Sequence, residues 1–379
     1  MWLLPRSPLP DVWVPLSDSL RLITGYGRDV LVGSDVVARM VNFSRSTTAT
    51  YIGKDGQLKT AAANEPRFEK EGLLIEGQST NYIPKSEYYS DYVKSNLTVS
   101  GKVLTRSVTT GESYLNIGSY NLPTGKVTIS AAYKKSSAVN FDYFNVYCER
   151  FTPKAANLVK VKELDDIVIV SATVDADFSV GAAGVFFKTL MVGNGAGSVQ
   201  LEYFQMEALP FASSYIPTTG AAATRAADQA WLPAAGNRFI GGLYAAAFEF
   251  DLLGRVVSGV SEFSRLVDFD NSGGSDRQHI SLTVGGQLQC LMGPSQAIAS
   301  VAGKLAGRAA MRMNNLTMNV MMDGVAGSSV TASGIGSSLN NRIVLMNSNL
   351  FNLPSYGHIR NLRMWSKHPI SNDQLRTAA

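Results

Sequence analysis

Apolar and polar residues alternate with a period of two along much of this chain, and no other feature restricts its fold as strongly. Residues 127–133 (Val-Thr-Ile-Ser-Ala-Ala-Tyr), 141–147 (Phe-Asp-Tyr-Phe-Asn-Val-Tyr) and 199–206 (Val-Gln-Leu-Glu-Tyr-Phe-Gln-Met) each follow this pattern of a half-buried strand. Residues 167–174 are a continuous β-branched run suited to a central strand, and 243–251 and 316–322 repeat the alternation. Turn-forming Gly, Asn, Asp and Pro separate the runs at 122–125, 193–197, 271–274 and 323–324. Two stretches read as helical. Residues 371–376 offer Ser371 as a cap with acidic and amide groups in the first turn. Residues 295–308 are Ala-rich, although Gly303 and Gly307 interrupt them. Many short strands with few helices predict an all-β chain of antiparallel β-sandwiches.

At 379 residues the chain is longer than one hydrophobic core usually serves, so two tandem domains are expected. Residues 218–227 are small, polar and strandless, which sets the boundary near 226. The expected division is a short extended N-terminal arm over 1–10, a first sandwich over 11–225 and a second over 226–379. Apolar residues make up 45% of the chain and charged residues 17%, enough to fill two cores. A net charge of +4 without a basic run argues against nucleic acid as partner. No run of about eighteen apolar residues exists, so no helical membrane insertion is expected. The N-terminal apolar run is short and broken by Pro5, Pro8 and Pro10, unlike a signal sequence. Cys148 and Cys290 are the only cysteines and are expected to be buried free thiols of a protein made in a reducing cytoplasm.

Sites of chemistry are sparse. Asp268-Phe-Asp270-Asn-Ser-Gly is the best cation-like cluster, because alternate strand residues share a face. Its twelfth position is His279 rather than a carboxylate, which rejects a helix–loop–helix calcium site and leaves a rim calcium site or a solvated strand end. The acid pairs Glu69 with Glu71, Asp165 with Asp166 and Glu202 with Glu207 have no spacing that selects them for glycoside hydrolysis over surface pairs. His279, His358 and His368 lie in no metal-ligand spacing, and His358 reads as a strand-surface residue. No nucleophile elbow or dinucleotide loop occurs. A non-enzymatic protein without cofactors is expected. Tyr82, Tyr88, Tyr89 and Tyr92 cluster as an exposed glycan or contact patch, or else as loop packing; Trp13, Trp231 and Trp365 read as core or junction residues.

Two blocks carry a resemblance. The first runs Phe43-Ser-Arg-Ser-Thr-Thr-Ala-Thr50, Asp55-Gly-Gln-Leu58, Asn64-Glu-Pro-Arg-Phe-Glu69 and Gly72-Leu-Leu-Ile-Glu-Gly-Gln-Ser-Thr-Asn81. The second is Ala212-Ser-Ser-Tyr-Ile-Pro-Thr-Thr-Gly220 followed by Thr224-Arg-Ala-Ala-Asp228. In order and spacing they resemble the signature blocks around a lectin-like sandwich in tail-fibre, tail-spike and head-decoration proteins of tailed bacteriophages. The C-terminal part, Met318-Asn-Val-Met-Met-Asp-Gly324 and Gly357-His-Ile-Arg-Asn-Leu-Arg-Met-Trp365 followed by Pro369 to Leu375, resembles a laminin-G-like sandwich.

The resemblance implies jelly-roll, concanavalin-A-like domains in a virion structural protein. The favoured role is a tail fibre or tail appendage that attaches to host surface polysaccharide. The alternative is an architectural decoration or tail protein that contacts other virion proteins without binding glycan. A symmetric homo-oligomer, often a trimer in such appendages, is implied too. The Pro-rich start with Trp2, Leu3 and Leu4 suits an extended arm, so the N-terminal segment, roughly residues 1–40, is expected to dock to the particle. Read from their chemistry alone, Arg45, Arg67 and Arg225 are structural: each guanidinium suits a bidentate contact with a carboxylate such as Glu69, Glu76 or Asp228.

Overall fold

The computed structural model describes residues 8–379 except 234–235, 238–242, 255–262, 271–277, 284, 293–294, 300–303, 315–316, 332–341, 349–350, 367–369 and 379. The chain is all-β and antiparallel, and it divides into two compact units, each built from packed sheets.

One unit comprises residues 1–77 and 226–379. Its eight-stranded sheet runs in the order Val325–Thr331, Thr317–Met322, Ala306–Asn314, Leu243–Gly254, Tyr356–Trp365, Gly72–Ile75 and Arg67–Glu69, with Val12–Val14 also on Tyr356–Trp365. Its seven-stranded sheet runs Ser295–Ala299, Leu288–Met292, Gln278–Thr283, Phe263–Asp270, Arg342–Leu345, Gln229–Pro233 and Asn42–Ser44. Inward residues of both sheets, among them Leu73, Phe248, Phe269, Ile280, Met311 and Ile359, form one buried core.

The other unit is the uninterrupted stretch 78–225. A five-stranded sheet (Val93–Ser95, Tyr114–Tyr120, Ala183–Met191, Phe141–Tyr147, Ala155–Asn157) shares a core with a seven-stranded one. The latter runs Thr98–Ser100, Val103–Arg106, Gly197–Glu207, Gly125–Val139, Ile167–Ala176 and Phe151–Thr152, with Val159–Glu163 also on Ile167–Ala176.

Two expectations are corrected. Residues 11–77 do not group with the stretch that follows them. Val12–Val14 and Gly72–Ile75 pair with Tyr356–Trp365, and Asn42–Ser44 pairs with Gln229–Pro233, so backbone hydrogen bonds tie this segment to the C-terminal part. The sandwiches are therefore not strictly sequential: one is contributed by both ends of the chain. The described part of the Ala-rich stretch 295–308 is not helical. It supplies strands Ser295–Ala299 and Ala306–Asn314. Its Ala297 and Ala299 are buried in the main core, and just beyond it Ala309 faces the same core while Ala310 lies in a second cluster with Ala245, Ala247, Trp365, Ile370 and Leu375. The C-terminal helix, Asn372–Ala378, lies on that outer face, and small side chains let it approach. Ser371 caps this helix reciprocally: its Oγ accepts from Gln374 N at 3.2 Å and its own N donates to Gln374 Oε1 at 2.8 Å. Of the N-terminal arm, residues 1–7 lie outside the described residues, while the Pro8 carbonyl accepts from Trp365 Nε1 at 2.8 Å.

Candidate functional site

The five-stranded sheet of the 78–225 unit turns one row of each strand inward and a chemically distinct row outward. On Tyr114–Tyr120, Leu115 and Ile117 enter the core and Tyr114 and Asn116 face out; on Ala183–Met191, Val185 and Phe187 go in and Phe186, Lys188 and Leu190 go out. On Phe141–Tyr147, Phe144 and Val146 go in, leaving Tyr143, Asn145 and Tyr147 outside. Register aligns these rows. Tyr114 and Asn145 flank Lys188, Asn116 and Tyr147 flank Phe186, and Asn157 lies beyond Asn145. The result is a half-exposed grid of aromatic rings and amides around one ammonium.

Contacts within the grid fix its members. Tyr114 meets Phe186 edge-on at 5.2 Å, and Tyr147 meets the same ring at 6.2 Å. Lys188 Nζ sits 4.9 Å from the Tyr147 ring centroid and 2.7 Å from Glu112 Oε1. Asn145 Nδ2 donates to Asn157 Oδ1 at 2.7 Å. The Tyr147 hydroxyl donates to Glu149, which Lys154 also contacts; that hydrogen bond, with some desolvation, holds the phenol pKa above its ordinary value.

Lys188 and Leu190 also line a cleft of about 360 Å³ at the end of this sheet, together with Arg106, Glu112, Ser113 and Asn194. Its wall is stiff because buried Arg106 donates to the carbonyls of Val108 and Gly111, both at 2.9 Å, and to Ser113 Oγ at 3.2 Å. Asn96 Nδ2 holds the same loop from outside through the carbonyls of Thr110 and Glu112. Aromatic faces beside amides, hydroxyls and an ammonium can stack on an apolar ring face while exchanging hydrogen bonds with its hydroxyls.

The residues singled out from sequence lie elsewhere. Tyr89 is 0% exposed and Tyr92 9%, both packed on Phe204; Tyr82 is half-buried and only Tyr88, at 52%, projects. The four tyrosines thus form no common exposed patch. The chain at 85–92 makes a short turn over Tyr89–Asp91 that tucks two rings into the core, where burial pushes the Tyr92 hydroxyl up to about 12.

Four signature residues of the other unit, Arg45, Arg67, Glu76 and Asp228, do come together, with 0% exposed side chains. Arg45 donates to Asp228 Oδ1 at 2.9 Å; Arg67 donates to Glu76 Oε2 at 2.7 Å and Asp228 Oδ2 at 2.5 Å. Burial pulls the Arg67 pKa down, but Asp228 and Glu76 outweigh it and raise it. Backbone carbonyls of Thr47, Ala62 and Glu65 take further Arg45 donors, so the guanidinium pins the loops around it. Arg225, in the 78–225 unit, donates to Ser213 and Ser214, and its charge acts on buried Glu207. Glu69 accepts from Ile52 N at 2.7 Å and faces His358. His358 is 3% exposed, not a strand-surface residue, because Tyr356–Trp365 is an interior strand of its sheet.

Asp268 is fully buried opposite His279 in the register, so it is no solvated rim group, and the Asp270 side chain lies outside the described residues, as does His368. Among the acid pairs, Asp166 accepts from Ser136, Glu202 contacts Lys102 and Glu207 accepts from Ser79 and Ser213; Glu69 and Glu71 approach each other beside His358. Cys148 and Cys290 are buried free thiols.

No family model and no curated protein sequence matches the chain. Among solved structures, the chain is similar to the CBM40 of the Ruminococcus gnavus IT-sialidase bound to alpha2,3 sialyllactose (13% identity, 36% of this chain and 82% of that one, TM-score 0.29). It is similar to domain 4 of AbnA, a GH43 extracellular arabinanase from Geobacillus stearothermophilus in complex with arabinotriose (16%, 45% and 81%, TM-score 0.31). A third similarity is to the mouse laminin alpha1 chain, domains LG4-5 (12%, 75% and 95%, TM-score 0.26). These likenesses are too slight to bear on what this chain binds.

Proposed function

We propose that the chain is a lectin-like structural protein of a tailed-phage virion, in a tail fibre or tail appendage, and that its 78–225 unit binds host surface polysaccharide without cleaving it. The observation that carries the binding reading is the outward grid of Tyr114, Tyr143, Tyr147 and Phe186 interleaved with Asn116, Asn145 and Lys188. A sheet face that served only solubility would carry charged and small polar groups at these positions. The virion reading rests on the two signature blocks.

The test is binding of the purified chain to a panel of bacterial surface polysaccharides, with sugar products assayed in the same tube. Saturable binding that falls tenfold or more in Tyr147→Ala and in Phe186→Ala supports the reading. Equal binding by both variants refutes this face, and released sugar refutes the non-enzymatic reading.

One observation favours the architectural alternative. The hairpin Arg28–Val32 with Asp35–Met40 projects Leu31 and Val32 at 58% and 67% exposure beside Val36 and Val37. Apolar groups presented this way suit a contact with another virion protein or a second copy of the chain.

A further inference from the structure

Strand Val103–Arg106 turns Leu104 and Arg106 to its buried side, and Arg106, the last residue of the strand, lines the cleft beside Lys188. Arg106 is 2% exposed, yet no carboxylate among the described residues pairs with it. Its guanidinium donates only to the carbonyls of Val108 and Gly111 and to Ser113 Oγ. The buried arginines of the other unit are different, since Arg45 and Arg67 each meet a carboxylate. A buried charge held by dipoles alone is costly, and a countercharge nearby relieves that cost. Lys188, the second cation of the cleft, contacts Glu112 at 2.7 Å, but the pair is uneven: the Lys188 side chain is 17% exposed and that of Glu112 67%. So exposed a partner holds weakly, and a ligand anion displaces it at little cost. Thr189 lines the same cleft, and its buried Oγ1 has no hydrogen-bond partner among the described residues, which leaves a donor for a ligand oxygen.

We propose that this cleft takes the carboxylate of an acidic sugar residue, so that the polysaccharide bound by the 78–225 unit is one containing uronic acids. The inference rests on the glycan-binding reading of the same face and names its substrate class. Arg106 and Lys188 bring two positive charges and Glu112 one negative, and the remaining lining residues are uncharged, which leaves a surplus of one positive charge. A singly charged carboxylate matches that surplus, and Glu112 itself shows that a carboxylate oxygen reaches Lys188 Nζ at hydrogen-bonding distance. Lys188 Nζ lies 4.9 Å from the Tyr147 ring centroid, and Phe186 pairs with Tyr147 in the register. A sugar stacked on these two rings therefore brings its substituent to the ammonium. A neutral sugar would use the rings and amides of the grid and leave the charge of the cleft unmatched.

The experiment measures binding of the full chain to uronate-containing bacterial polysaccharides, each beside its carboxyl-reduced form, and to neutral polysaccharides. The acidic form should bind about tenfold or more tighter than its reduced counterpart, and Lys188→Gln should erase that preference. Glu112→Gln should keep or raise the affinity for the acidic form, by up to about fivefold, because it frees Lys188. Both side chains lie outside the core, so these variants report on binding rather than on folding. Equal binding of acidic and reduced forms overturns the inference and leaves the glycan reading standing. So does an undiminished preference in Lys188→Gln, or a loss of affinity for the acidic form in Glu112→Gln. Absence of binding to every polysaccharide, the neutral ones included, refutes the glycan reading and the inference with it.

Discussion

Replacing Asp228 by Asn isolates what burial does to an ion pair. Asp228 uses both oxygens: Oδ1 accepts from Arg45, and Oδ2 accepts from Arg67 and from the Glu76 N–H at 2.9 Å. An amide fits the same space but must turn its NH2 toward at least one of these donors. The least costly orientation opposes it to Arg45, leaving two guanidinium groups with one carboxylate between them. Breaking a buried pair by removing one partner costs about 3–5 kcal/mol. The matched control is Asp175→Asn, whose pair with Lys126 is comparably close at 2.8 Å but has side chains 53% and 60% exposed; about 1 kcal/mol or less is expected there. Each change is read by the thiol in its own core, Cys290 for Asp228 and Cys148 for Asp175. Burial pushes the Cys290 thiol up to about 12, so it labels only through opening of the unit. At about 1.4 kcal/mol per tenfold change, Asp228→Asn should speed Cys290 alkylation by roughly two to three and a half orders of magnitude. Asp175→Asn should change Cys148 alkylation less than about tenfold. Equal, small accelerations in the two variants would sink the argument that burial decides the cost.

Other outcomes follow from single features. Glu207 is fully buried, and desolvation raises its pKa above 4.5 despite hydrogen bonds from Ser213 and Ser79. A raised carboxyl favours folding most below the ordinary value and loses that contribution as pH rises through the folded one. The stability of the wild type relative to Glu207→Gln should therefore fall with pH over that window; a flat difference in melting temperature would contradict it. Gly72→Ala forces a Cβ against Ile359 O at an unfavourable φ and should cost about 1–3 kcal/mol or more by denaturant titration, whereas Gly101→Ala, with positive φ and open space around it, should cost less. Leu31→Lys with Val36→Lys should leave the melting temperature unchanged yet lower any self-association seen by light scattering, since both side chains are exposed.

The fold class was legible because period-two alternation survives wherever one sheet face is buried: residues 127–133, 141–147 and 199–206 all fall in strands, as does the β-branched run 167–174. Chain connectivity was not, because Val12–Val14, Asn42–Ser44 and Gly72–Ile75 are three or four residues long and their partners lie more than a hundred residues away. Short segments carry almost no pairing information, and backbone hydrogen bonds do not depend on side-chain identity. The Ala-rich stretch 295–308 misleads for another reason: Ala is favoured in helices, yet the inward row of strand Ser295–Ala299 takes it at Ala297 and Ala299, where a small side chain fits the core.

The outward grid shows where alternation stops informing. In Phe141-Asp-Tyr-Phe-Asn-Val-Tyr147 both rows contain aromatic rings, so the pattern announces a strand without saying which row meets water. Only the pairing with Ala183–Met191 decides it, by bringing Tyr147 beside Phe186 and Asn145 beside Lys188. The Tyr cluster at 82–92 misled for the converse reason: proximity in sequence is no measure of exposure, and a turn buries two of its four rings. The arginines of the signature blocks behave differently again. Arg45, Arg67 and Asp228 pair as the chemistry of a guanidinium and a carboxylate suggests from sequence, and their burial keeps them from any sugar. Blocks of this kind mark how loops are locked onto a sheet, and the surface that meets a ligand has to be sought on strands whose outward residues the lock leaves free to vary.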